Sequence, residues 1–320
     1  MRIFLTRRWP DAVERRMAEL GEVVLNTDDH ALDRAELIEA LNTCEVVCPT
    51  VTDNLRAEVW AAAQPRTGLL ANFGVGYNHI DLSAAAEHGV KISNTPGVLT
   101  DATAEIALSL LMMTARRTAE GERHVRAGEW TGWRPTHMLS SQVCGKTLGI
   151  VGMGRIGVRL ARMAKHGLGM HILYHNRSAV AESVALELAA ARVDLDTLLG
   201  SSDFVSLNCP ATAETHHLIN ARTLGLMQSH AHLINTARGD VVDEAALADA
   251  LNRGEIAGAG LDVFEAEPAI APALMSLSQV VLLPHMGSGT VETREAMGMC
   301  ALRNVEAYIN GEPLPNQVGA

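Results

Sequence analysis

Residues 147–157 read TLGIVGMGRIG, and no other stretch restricts the possible folds as much. An apolar run over 148–151 leads directly into glycines at 152, 154 and 157, and helical spacing follows over 158–164. Strand, G-x-G-x-x-G turn and helix in this order form a βα unit that binds a dinucleotide. Each glycine has its own task. Gly152 makes the tight turn, Gly154 lets a pyrophosphate approach the backbone, and Gly157 packs helix on strand. The helix then offers free N-terminal N–H groups and the positive end of its dipole to the phosphates. The motif alone is weak in a chain with 27 glycines; the flanking strand and helix give it weight.

The rest of the chain alternates in the same manner. Strands are expected at 2–6, 22–25, 45–48, 67–72 and 90–93, with helices at 10–20, 33–41, 55–63 and 82–88. This βαβα pattern indicates a parallel α/β domain. The segment 103–116 is apolar nearly all round, which predicts a buried helix joining the first domain to the second. The second domain starts at Thr147. Its further strands are expected at 171–174, 204–207, 232–235, 258–262 and 279–283, and its helices at 184–190, 221–227 and 244–252. A long amphipathic helix over 290–308 precedes a polar stretch with Pro313 and Pro315 that reads as a tail. A chain of 320 residues accommodates two such domains.

Composition excludes several classes of function. The net charge is −11 with no dominant basic face, which argues against nucleic-acid binding. No apolar run approaches the roughly 18 residues of a membrane span. In the opening ten residues only 3–5 are continuously apolar, too few for a secretory signal, so a cytoplasmic protein is expected. The five cysteines are odd in number and scattered; Cys44 and Cys48 flank a strand and lack a second pair. They read as buried thiols in a reducing compartment, and no metal site is expected.

In a doubly wound sheet the C-terminal strand ends face one crevice. Arg238, Asp262, Glu267 and His285 all fall at or just after such ends. His285 has the range for moving a proton near neutral pH. Glu267 can orient its ring and favour the imidazolium, and Arg238 can hold a carboxylate and polarise a carbonyl. With a nicotinamide on the glycine turn, these are the parts of a 2-keto acid reductase. Each residue also has a plain structural reading: a lone histidine after proline, a solvated loop carboxylate, an arginine paired with Asp240 or Asp243. Gly74-Val75-Gly76 is open between a backbone carboxylate receptor and a simple tight turn. The 128–145 loop with Trp130 and Trp133 packs either on another subunit or on itself.

Several motifs in sequence order resemble the D-isomer-specific 2-hydroxyacid dehydrogenases. They are Asn72-Phe73-Gly74-Val75-Gly76 before Asp81, the 152–157 glycine turn, Asn235 to Asp240 with Val241-Val242-Asp243-Glu244, Leu261-Asp262-Val263-Phe264-Glu265 before Glu267-Pro268, and Pro284-His285-Met286-Gly287-Ser288. The stretch 129–135, EWTGWRP, is similar to the glyoxylate/hydroxypyruvate reductase branch. The resemblance implies an α/β fold of two doubly wound parallel-sheet domains with a cleft between them. A Rossmann cofactor domain would span 99–289, and a discontinuous flavodoxin-like substrate domain 1–98 with 290–320. It implies Arg238, Glu267 and His285 as the catalytic set, and backbone at Val75 and Gly76, with Arg238, as receptors for the substrate carboxylate. Arg155 and Ile156 would lie on the pyrophosphate; Cys209, Thr236, Ala237 and Gly287 would line the cofactor; Asp262 and His285 would border the nicotinamide, with Asp262 on its amide. A homodimer acting on a small 2-keto or 2-hydroxy acid is implied as well. The alternatives are a dehydrogenase for another acid, such as lactate, glycerate or a branched 2-keto acid, and a dinucleotide-sensing corepressor-like binding protein.

One departure bears on the cofactor. Members of the family that prefer NAD carry an acidic residue about 20 residues beyond the glycines. Here that place holds Asn176, followed by Arg177 and Ser178. A 2′-phosphate is not repelled, Arg177 can pair with it and Ser178 can donate to it, so NADP is expected over NAD. In the competing reading Asn176 binds a ribose hydroxyl and Arg177 stacks on adenine.

Overall fold

The computed structural model describes residues 1–319, which form two compact units: Met1–Leu99 with the segment beginning at Ser288, and Thr100–Gly287. The first unit holds five parallel strands, β1 (Arg2–Leu5), β2 (Glu22–Leu25), β3 (Val46–Cys48), β4 (Leu69–Ala71) and β5 (Lys91–Ser93), in the spatial order β5-β4-β3-β1-β2. This is the flavodoxin-like order. Strand alternation sends Val46, Cys48, Leu69 and Ala71 to one face, against Val13, Met17, Met297 and Val305. Val47, Leu70 and Ile92 point to the other face, against Leu37 and Leu41. Both faces are therefore covered by helices. A capping box, Asp33 with Glu36, starts the helix Arg34–Thr43 where the sequence placed it.

Two expectations for this unit change. The helix expected over 55–63 is a single turn, Ala57–Trp60. The polar tail is an edge strand: Gln317–Val318 pairs antiparallel with β5. Asn304 anchors it by accepting from the Asn316 N–H at 2.9 Å, and Leu314 is buried. Main-chain pairing and one apolar residue suffice, so side-chain polarity concealed it.

The second unit holds seven parallel strands: β6 (Thr147–Val151), β7 (His171–His175), β8 (Ala191–Arg192), β9 (Phe204–Leu207), β10 (His232–Asn235), β11 (Gly258–Leu261) and β12 (Val280–Leu282). Their order is β12-β11-β10-β9-β6-β7-β8. Chain direction across the sheet reverses between β6 and β9, the crossover point at which open α/β sheets bind ligands. Val205, Leu207, Leu233 and Leu261 face one core; Leu148, Ile150, Ile172 and Ile234 face the other. The helix Thr100–Ala115 starts at 100 rather than 103 and belongs to this unit. It lies so close to β11 that a Cβ on Gly260 would approach the Leu110 Cβ to 2.9 Å.

Helices Thr118–Arg126 and Leu195–Ser201, the turn Pro272–Met275 and strand β8 are additions to the sequence reading. Thr118–Arg126 buries no residue, so it carries no apolar stripe to detect. Cys44, Cys48 and Cys300 are buried as expected, whereas Cys144 is exposed. Among the described residues, no helix is long and apolar enough to cross a membrane, and no cluster could hold a metal ion.

Candidate active site

The glycine turn sits at the end of β6, where the sheet order reverses. Gly152 has φ 93, and a Cβ there would lie 2.5 Å from the Cys209 N. Any side chain would collide with the end of β9 as well as strain the turn. A Cβ on Gly157 would meet the Gly152 carbonyl oxygen at 2.6 Å, which makes close helix–strand packing its role. Gly154 is exposed and would meet nothing within 4 Å. It is the N-cap of helix Arg155–Leu168 and supplies no side-chain cap. No side chain caps the first N–H groups of that helix, at Arg155 and Ile156, which leaves these donors for an anion. At the neighbouring strand ends, Asn208 Oδ1 and the Thr236 hydroxyl are buried without a partner among the described residues. Open backbone donors and orphaned buried polar atoms around one crossover point suit a bound dinucleotide.

Asn176, at the end of β7, is committed to this turn. Its Oδ1 accepts from the Met153 N–H at 2.6 Å. Arg177 and Ser178 are exposed immediately beyond.

The polar constellation assembles from three strand ends. After β10, Asn235 shapes the turn: Oδ1 accepts from the Ala237 N–H at 3.0 Å and Nδ2 donates to the Arg238 carbonyl at 2.9 Å. Gly239 then passes under the loop that follows β11, so closely that a Cβ would lie 1.9 Å from the Phe264 carbonyl carbon. Only glycine permits this crossing, and it brings the Arg238 and Glu267 segments together. Burial works against the Arg238 charge; Glu267 first, then Asp240, supports it. Asp243 is occupied as an N-cap, accepting from the Ala246 N–H at 2.9 Å.

Glu267 uses both oxygens. Oε1 accepts from the Phe264 N–H at 3.0 Å, and Oε2 meets His285 Nδ1 at 2.7 Å. Burial works to raise its carboxyl, but the His285 hydrogen bond and charge, the Phe264 N–H and the Arg238 charge together hold it below the usual range. Each side chain of the His285–Glu267 pair keeps 30% of its exposure, so the pair is reachable from solvent.

His285 has φ 52, in the left-handed region. Asp262, 1% exposed at the end of β11, holds it there. Asp262 Oδ1 accepts from the Met286 N–H at 2.8 Å and Oδ2 from the Gly287 N–H at 2.7 Å. Burial pushes the Asp262 carboxyl up, while these donors and the His285 charge pull it back. This fixing of the His285 backbone is a role that sequence reasoning missed, since nothing in the LDVFE motif reports a bond 24 residues away.

In the first unit, the 74–76 turn is tied down by two asparagines, also missed. Asn72 Nδ2 donates to the Gly74 and Gly76 carbonyls at 3.1 and 3.0 Å, and Asn94 Nδ2 to the Val75 carbonyl at 2.9 Å. In a trans peptide the N–H points opposite the preceding carbonyl. The Val75 and Gly76 N–H groups are thus directed away from the asparagines.

The NAD-binding-domain profile of the D-isomer specific 2-hydroxyacid dehydrogenases matches residues 108–287. The chain belongs to this family of oxidoreductases. It is 45% identical to the glyoxylate reductase of Thermococcus litoralis over 321 aligned residues, covering 99% of this chain and 96% of that one. With the Korarchaeum cryptofilum glyoxylate reductase it shares 46% over 320 residues, with coverage of 99% and 95%. The crystal structure of the NADPH-dependent glyoxylate/hydroxypyruvate reductase from Sinorhizobium meliloti, in complex with NADP and malonate, superposes with a TM-score of 0.87 at 35% identity, covering 99% and 96% of the two chains.

Proposed function

We propose that this chain reduces a small 2-keto acid, glyoxylate or hydroxypyruvate, to the 2-hydroxy acid at the expense of NADPH. The His285–Glu267 hydrogen bond beside Arg238, at the strand ends next to the glycine turn, is the observation that carries this reading. Relatives named glyoxylate reductase support the substrate class.

When bound, the nicotinamide supplies the hydride. The Nδ1–H of His285 donates to Glu267, which fixes the ring and leaves Nε2 to deliver the proton to the carbonyl oxygen. Glu267 itself stays a carboxylate, held below the usual range against burial by that bond and by the Arg238 charge. Arg238 holds the substrate carboxylate and stabilises the charge developing on the reacting oxygen. Asp262 keeps the His285 backbone in place and borders the nicotinamide. The Val75 and Gly76 N–H groups are assigned to the substrate carboxylate. Gly152, Gly154, Arg155, Ile156 and Gly157 are assigned to the pyrophosphate, and Cys209, Thr236, Ala237 and Gly287 to the remaining cofactor wall.

NADPH is assigned because Asn176, Arg177 and Ser178 present no carboxylate where the adenosine ribose binds. The solved relative carrying NADP supports this. The bond from Asn176 to Met153 argues against its serving a ribose hydroxyl. Arg177→Ala is expected to lower kcat/KM for NADPH about tenfold or more, and for NADH less than threefold, on the roughly 1.5–3 kcal/mol of a charge-assisted hydrogen bond. Equal losses for the two cofactors, or a wild-type preference for NADH, overturns the assignment. A cytoplasmic homodimer completes the reading; the exposed Trp130, Trp133 and Leu139, at 55, 82 and 66%, are apolar side chains that a second copy would cover.

A further inference from the structure

β8 is only two residues long, Ala191–Arg192, yet it sets up a second guanidinium at the adenosine end of the proposed cofactor site. It pairs with β7 so that Arg192 stands level with Tyr174. The register is locked on both sides: the Val193 N–H donates to the Tyr174 carbonyl at 3.0 Å, and His175 Nδ1 meets the Val193 carbonyl at 3.1 Å. From this edge position the Arg192 side chain reaches past the end of β7. Its Nη2 donates to the Asn176 carbonyl at 2.9 Å and to the Arg177 carbonyl at 2.6 Å.

These bonds do three things for a ligand beside Arg177. First, the 176–178 segment is held from two sides, with the Asn176 side chain on Met153 and its main chain on Arg192. The Arg177 Cα is thereby fixed relative to the glycine turn. Second, the Arg192 guanidinium offsets the negative ends of these two carbonyl dipoles within the segment. Third, with the Arg177 carbonyl directed at Arg192, the Ser178 N–H of the same trans peptide points the opposite way. The exposed Arg192 guanidinium adds a second positive charge to that of Arg177. The Glu214 carboxyl senses Arg177, which helps hold it low, after its bonds to Thr212 and its own backbone.

We infer that Arg192 is a specificity-determining positioning residue for the 2′-phosphate of the adenosine ribose, acting by holding the Asn176–Ser178 segment and by its charge. The inference rests on the NADPH reading above and deepens it.

The test uses the full chain and two adenosine fragments, 2′,5′-ADP and 5′-ADP, titrated by calorimetry into wild type, Arg192→Ala and Arg192→Lys. Because Arg192 is exposed on an edge strand, the variants are expected to keep the wild-type melting temperature to within a few degrees. Wild type should bind 2′,5′-ADP more tightly than 5′-ADP. Arg192→Ala should weaken 2′,5′-ADP about tenfold or more while changing 5′-ADP less than threefold. Arg192→Lys should recover only part of the loss, since lysine has a shorter reach and a compact point charge in place of the planar guanidinium. Unchanged 2′,5′-ADP affinity in Arg192→Ala, or an equal loss for both fragments, refutes the role of Arg192 and leaves the NADPH reading standing. A wild-type protein that favours 5′-ADP refutes the NADPH reading itself.

Discussion

Asp262→Asn separates a chemical role at the nicotinamide from the backbone role seen at His285. The wild-type carboxylate accepts one N–H on each oxygen, from Met286 and Gly287, at 2.8 and 2.7 Å. At 1% exposure no water can replace either bond. Asparagine keeps one acceptor and turns an NH2 group on the other N–H. The variant loses a charge-assisted bond and leaves a buried donor without a partner, at a cost of about 2–4 kcal/mol. His285, at φ 52, sits in a conformation that costs an L-residue about 1–2 kcal/mol. The loss exceeds that strain's restraint, so the loop relaxes and the imidazole leaves its 2.7 Å bond to Glu267. Misplacing a general acid forfeits about 10²–10⁴ in rate. With glyoxylate and NADPH, kcat is expected to fall at least about a hundredfold. Thermal melting should drop by only a few degrees, because relaxation is local. A kcat within threefold of wild type would refute the reasoning. So would a global loss of folding, which would make Asp262 a core residue and not a local brace.

Two further perturbations test the His285 pairing and the burial of His232. In Glu267→Gln the imidazole loses the carboxylate that its Nδ1 meets at 2.7 Å, so kcat with glyoxylate and NADPH should fall about tenfold or more while the melting temperature moves by only a few degrees; an unchanged kcat contradicts the pairing. His232 is 5% exposed, stacked on Phe204 and pushed by burial down to about 4. Its depressed value means that the unfolded chain binds the proton first, so this group's contribution to stability is whole above about 6.5 and is lost as pH falls toward 4, by about 2 kcal/mol at pH 5. Denaturant unfolding of His232→Gln should show a correspondingly flatter dependence between pH 6.5 and 5, and an identical slope would contradict the burial argument.

Much of the second unit is legible in the sequence because apolar runs in parallel sheets are buried on both faces. Phe204–Leu207 and His232–Asn235 fall where the runs place them. The glycine turn is legible for a related reason: each glycine answers a steric demand that leaves few other residues possible. What stays hidden is what tertiary geometry decides. Thr118–Arg126 buries no residue, β8 is two residues long, and the C-terminal edge strand relies on its backbone. The candidate side chains Arg238, Glu267 and His285 can be picked out by their strand-end positions. The groups that hold their surroundings cannot: Asn235, Gly239 and Asp262 act through bonds and crossings between segments distant in sequence. In the first unit, Asn72 and Asn94 orient the Val75–Gly76 peptides in the same unannounced way.

The central claim is that the His285 pair serves 2-keto acid reduction. Its most direct test is oxidation of NADPH followed by absorbance with glyoxylate, hydroxypyruvate, pyruvate and phenylpyruvate, in wild type and His285→Ala. Turnover should be fastest with glyoxylate or hydroxypyruvate and fall at least about a hundredfold in the variant, which should still bind NADPH. A wild-type protein that binds NADPH yet oxidises it with none of the four acids would contradict the account and identify a dinucleotide-binding protein instead.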